Sequence, residues 1–201
     1  MKQNNNFALR LKFTHRRFLT ERQFLRFVTA FEEDIMTKRQ LLYAKFEAVE
    51  EQLAHCYFLL HERFISNPQL AKFWAETAID ELQHQSILRF CRERGLMADI
   101  DVDMKITGRI EDLLDTVKAI VSDPDVSIDE AFYAALLMES SELEDIYEKL
   151  TRCLAKDHRL LFDAIEANLR SHHLAFADAV EKFSGDRGLA EAFRNLGKYL
   201  S

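Results

Sequence analysis

Apolar residues recur along this chain at steps of three and four through four long stretches, with polar residues between them. That period places each set on one face of an α-helix rather than on the alternating face of a strand. The first long helix carries Leu42, Phe46, Val49, Leu53, Cys56, Leu60 and Phe64, flanked by Ala44, Ala48, Glu51, Ala54 and Phe58. The second opens at Asn67, a capping residue, and Pro68, which suits a first helical position because its missing donor costs nothing there. It runs through Leu70, Phe73, Thr77, Glu81, His84, Leu88 and Cys91 to Gly95. Ser127 and Glu130 form a capping box that starts the third, with Phe132, Ala135, Leu136, Glu139, Ile146 and Leu150 inward. After a turn near 155–158 the fourth turns Leu161, Ile165, Leu169, His172, Phe176, Ala179 and Phe183 inward and stops at Gly185.

Shorter elements complete the pattern. Thr20 and Gln23 read as a capping box from which a helical pattern runs without a breaker to Ser66, and a break near 34–40 is expected because one helix of that length would outrun its partners. Residues 96–108 read as a polar connection, 109–122 as a short helix before Pro124, and 188–200 as a last one. The link between the second and third long helices is the one long enough to cross a bundle. Residues 7–19 mix Phe7, Leu9, Leu11, Phe13 and Phe18 with basic residues, and extended and helical readings both stay open.

Polar residues on the apolar stripes carry the chemistry. Glu81 and His84 lie one turn apart and can reach one ion from one face, while Glu51, Glu139 and His172 fall on the other three stripes. Carboxylates meeting in one core cannot neutralise one another, and a pair of divalent cations resolves that conflict. Glu81 is the expected bridge. Spacing strengthens the reading: Glu51 to His84 and Glu139 to His172 both span 33 residues, so one ungapped offset of 88 superposes the two helical pairs. Under it Phe73 falls on Leu161, Thr77 on Ile165, His84 on His172 and Leu88 on Phe176, as in a repeated helical hairpin. Glu81 falls on Leu169, so the second half lacks a carboxylate that the first has.

Plainer readings stand beside these. Glu51 lies in the run Glu50, Glu51, Gln52 and can face solvent; Glu142 is either a further ligand standing in for the carboxylate missing at Leu169 or a surface residue. His173 competes with His172, which stripe position favours. His55, His61 and His158 read as surface groups or groups behind the ligands, and Glu166 with Arg170 as a surface ion pair.

Composition narrows the class. With 5 Gly and 2 Pro in 201 residues, and none before Pro68, the chain has too few turn formers for a sheet protein. Cys56, Cys91 and Cys153, widely spaced among apolar neighbours, read as reduced core thiols of a cytoplasmic protein, with no pair spaced to hold a metal. No apolar run of membrane-spanning length or secretory leader is evident, and a net charge of −7 argues against nucleic-acid binding. Residues 1–31 carry +6 and the remainder −13. That basic, Phe-rich segment reads as packing on a partner subunit in a homo-oligomer such as a dimer, on an acidic membrane surface, or over the chain's own bundle.

The stretch Glu51-Gln-Leu-Ala54-His-Cys-Tyr57-Phe58, the step Asp80-Glu81-Leu-Gln-His84, and Glu139-Ser-Ser-Glu142 with Tyr147 resemble the rubrerythrin-like branch of the ferritin-like superfamily over residues 44–183. The resemblance implies an all-α fold, a ferritin-like four-helix bundle with a long crossover over 41–184; the residue pattern adds an N-terminal helical extension over 1–40 and a short C-terminal helix over 185–201. It implies two iron ions, or manganese, in the bundle core and an oxidoreductase that activates oxygen or peroxide. The chain departs from the family at Leu169, where a Glu is usual, and in having no rubredoxin-like cysteine domain, so electrons would come from an external donor protein. The rival expectation, carried by Leu169, is a metal-free helical module for interaction or structure.

Overall fold

The computed structural model describes residues 21–97, 104–141, 147, 149, 151, 152 and 154–196, with side chains from residue 38 in the first helix, 108 in the third and 156 in the fifth. The helices are α1 Glu21–Arg63, α2 Pro68–Glu93, α3 Met104–Val121, α4 Ile128–Glu139, α5 Leu154–Asp157, α6 Arg159–Phe183 and α7 Arg187–Leu196. The fold is all-α, with no strand among the described residues. No described helix is long and apolar enough to cross a membrane. The chain divides into two compact units, Met1–Lys38 and Arg39–Ser201, and every side chain discussed below belongs to the second. Residues 7–19, Thr20 of the expected capping box, Glu142 and Cys153 lie outside the described residues.

Three boundaries differ from those the sequence suggests. No break interrupts α1 near 34–40; its 43 residues contain neither Gly nor Pro, so nothing stops helical propagation. α3 begins at Met104 rather than after Gly108, because one internal glycine costs a helix only about 1 kcal/mol. α4 ends at Glu139 instead of continuing past 150: Ser140 caps it and Ser141 leaves the helix, serines being better at ends than in interiors. Helical residues recur at 147, 149 and 151.

Other ends follow their local chemistry. The Asn67 side chain accepts from the Leu70 N–H at 3.3 Å with Pro68 at the first turn of α2, and the reciprocal Ser127–Glu130 box opens α4. Gly95 ends α2 in the left-handed region, at φ +68°, letting Leu96 N–H return to the Cys91 carbonyl at 2.8 Å.

The core is held by rings contributed from five helices. Trp74 on α2 stacks on Tyr57 of α1 at 5.7 Å between centroids, and meets Phe132 of α4 at 5.0 Å and Phe176 of α6 at 6.1 Å. Phe176 in turn stacks on Phe193 of α7 at 4.6 Å. Such offset and edge contacts add about 0.5–1.5 kcal/mol each to the burial of apolar area. α1 and α2 are further tied by buried Glu47, which Arg92 grips through both carboxylate oxygens at 2.5 and 3.0 Å. α3 turns Ile110, Leu114, Val117 and Val121 inward and reaches α1 through Lys45–Glu111 and Lys118–Gln52. Cys56 and Cys91 are buried outside any disulfide, and burial pushes Cys56 up to about 11, so it stays protonated and inert at neutral pH.

Candidate metal centre

Below the aromatic cluster, α1, α2, α4 and α6 each turn polar side chains into the core. Two groups have ligand atoms within 4.8 Å of one another: Glu50, Glu81 and His84, and Glu81, Glu139 and His172. All five residues are buried, and Glu81 belongs to both groups. Helical spacing explains that double membership. Glu81 lies one turn before His84 on α2, so its Oε2 meets His84 Nδ1 at 3.0 Å while its Oε1 faces α6, 3.5 Å from His172 Nε2.

Around Glu139 the structure gathers more. His172 Nε2 approaches Oε1 at 3.3 Å, the Tyr57 hydroxyl donates to the same oxygen at 2.9 Å, and His173 Nε2 lies 3.5 Å from Oε2. Each imidazole of the two groups is also held from behind. His84 Nε2 lies 3.2 Å from Asn168 Oδ1 of α6, and His172 Nδ1 lies 3.4 Å from Asp80 Oδ2 of α2. Contacts of that kind select the tautomer and leave the inner nitrogen, Nδ1 of His84 and Nε2 of His172, to act as a donor.

Electrostatics define the state of this cluster without a cation. Burial alone would raise the Glu139 carboxyl, but His172 and then His173 hold it well below the usual carboxylate range. Burial likewise opposes a charge on His172, yet Glu139, Asp80 and Glu81 raise it well above the ordinary imidazole value. Burial and the neighbouring Glu139 and Glu81 push Tyr57 far up, so it remains a neutral donor. At neutral pH the metal-free centre therefore holds a protonated His172 against an ionised Glu139.

The donor set fits divalent transition metals. Its oxygen and nitrogen ligands suit iron, manganese or zinc. Glu81 Oε1 and both ring nitrogens of His173 are buried without a hydrogen bond, a costly arrangement that a cation would relieve. One consequence is measurable. A ligand imidazole must be neutral, so loading at pH 7 should displace about one proton from His172, and affinity should fall as pH falls. Calorimetry in buffers of differing ionisation enthalpy reads the proton directly; no release at pH 7 would contradict a protonated His172 at this centre.

Of the expected ligands, Glu81, His84, Glu139 and His172 come together, and His173 joins them at Glu139. Glu51 does not. It is exposed and accepts from Gln85 Nε2 at 3.1 Å, while its neighbour Glu50, 2% exposed, faces the centre. The face of α1 that turns inward is therefore the Tyr43, Glu50, Tyr57 side of the stripe rather than the Ala44, Glu51, Phe58 side. Aromatic residues seven positions to either side of Glu50 were the available signal. The equal 33-residue spacing consequently fails in the first half, where Glu50 to His84 spans 34. Asp80, Asn168 and the hydroxyl of Tyr57 also escaped assignment as members of the centre. His55 and His158 are exposed, half-buried His61 contacts the Ala71 carbonyl at 2.9 Å, and Glu166 pairs loosely with Arg170 at 3.9 Å.

The chain matches no family model, no curated protein and no solved structure.

Proposed function

We propose that this chain is a ferritin-like four-helix bundle whose core holds two iron ions, or manganese in their place, and that it acts as a non-haem di-metal carboxylate oxidoreductase. The observation that carries the reading is Glu81, one buried carboxylate shared by two groups that each add a carboxylate and an imidazole. Glu50, Glu81 and His84 hold one ion; Glu81, Glu139 and His172 hold the other. The bound pair would supply redox chemistry toward oxygen or peroxide.

The protein's own part is placement and exclusion. Asp80 and Asn168 fix the two rings, and Tyr57 keeps a proton within hydrogen-bond reach of Glu139 Oε1. Phe176 stands edge-on to His172 at 5.0 Å and, with Trp74 and Phe132, walls the centre from water. An external donor protein would supply the electrons, since none of Cys56, Cys91 and Cys153 falls in a Cys-x-x-Cys pair.

Protein loaded anaerobically with ferrous iron and then given limiting hydrogen peroxide or oxygen tests the reading. Consumption of either oxidant should be far faster than in metal-free protein or in free ferrous iron at the same concentration. Equal rates in all three would remove the oxidoreductase assignment. Leu169, 2% exposed at the position equivalent to Glu81, favours the rival reading of a metal-free interaction module, which predicts that no ion is retained.

A further inference from the structure

The offset of 88 that pairs His84 with His172 also pairs Asp80 with Asn168. In the folded chain these two residues reach across between α2 and α6: Asp80 lies behind His172 and Asn168 lies behind His84. Each half of the repeat thus orients the other half's imidazole. The geometry is reciprocal, but the chemistry is not, because one holder is a carboxylate and the other a neutral amide.

We infer that Asp80 and Asn168 are positioning residues that make the two metal positions unequal, so that ions load one after the other, the His172 position first. The inference rests on the two-ion reading above and specifies its order. A carboxylate accepting the outer N–H makes an imidazole a stronger donor than an amide oxygen does, and its charge adds attraction for a cation. The side chain of Asp80 is 29% exposed, so solvent weakens that attraction without cancelling it. Two further features favour the same position. His173, buried and without a hydrogen bond, adds an imidazole 3.5 Å from Glu139. Glu139 is also fixed by the Tyr57 hydroxyl. Both act on the His172 group.

Metal-free full-length protein titrated anaerobically with manganese(II) supplies the test, with free ion read from its paramagnetic resonance signal. Binding should resolve into two steps separated by about tenfold or more in affinity. Asp80→Asn should weaken the tight step by about 10–100-fold and leave the weak step in place. Asn168→Asp should tighten the weak step and close the gap, which a purely structural role for either residue would not produce. Two ions bound with a single affinity in the parent protein, or steps unmoved by both variants, would overturn the inference while leaving the two-ion centre standing. No manganese bound at all would remove the centre and the inference with it.

Discussion

Replacing Glu81 with alanine should lower bound metal from about two ions per chain to none, an effect no other single ligand should match. Glu50 and Glu139 each serve one group, whereas Glu81 serves both. Its Oε2 lies against His84 and its Oε1 faces His172, so the two imidazoles lose their common partner together. Losing a carboxylate held behind a ligand costs 10–100-fold in affinity, and removing a shared ligand itself should cost both ions more than about 100-fold. Glu50→Ala should spare the His172 group, and Glu51→Ala, an exposed change, should leave the metal content as it is. Unfolding is not the cause to expect. Glu81 is one of the three carboxylates of the centre, and an amide in its place keeps its shape and its contact with His84. The nearly isosteric Glu81→Gln should therefore keep metal-free stability within about 1 kcal/mol of the parent while still failing to hold the pair of ions. Full metal content in Glu81→Ala would contradict the shared-carboxylate centre.

Trp74→Ala should be the most damaging change outside the centre, costing about 3–5 kcal/mol of stability. Trp74 is fully buried and packs on rings from α1, α4 and α6 together with its neighbour Phe73, so its loss leaves a cavity that no single helix can close. A domain of this size is stable by only about 5–15 kcal/mol, so the variant would sit near its unfolding threshold. Denaturant unfolding followed by circular dichroism measures this, because Trp74 is the only tryptophan and its fluorescence disappears with it. Trp74→Phe keeps most of the ring contacts and should lose clearly less. A cost below about 1 kcal/mol for the alanine variant would mean that the aromatic cluster does not organise the core as described.

The residues that the sequence exposed most clearly were those whose period and chemistry agree. Glu81 and His84 interrupt an otherwise largely apolar stripe from Leu70 to Cys91, and helical spacing alone puts them on one face. The caps at Asn67 and Ser127 were equally readable, since a cap depends on a few adjacent residues. Glu50 was harder. Glu50 and Glu51 are 100° apart on α1, and both flank the same apolar stripe, so the choice depended on which side of α1 the other helices cover, a tertiary fact. The roles of Asp80 and Asn168 are tertiary too: neither lies on the apolar stripe of its own helix, and each contacts an imidazole of the opposite helix. The early end of α4 at Glu139 follows from two serines whose helix propensity is only modestly poor, too weak a signal in sequence to separate a stop from a continued helix.

The central claim is that this core holds two metal ions, and metal content by mass spectrometry tests it most directly. Protein purified from iron-supplemented cells, and again after anaerobic loading with ferrous iron, should carry about two iron or manganese ions per chain. Fewer than about 0.2 per chain after loading would contradict the account, leaving the buried carboxylates and imidazoles as a polar network and Leu169 as the residue that decides what this helical protein does.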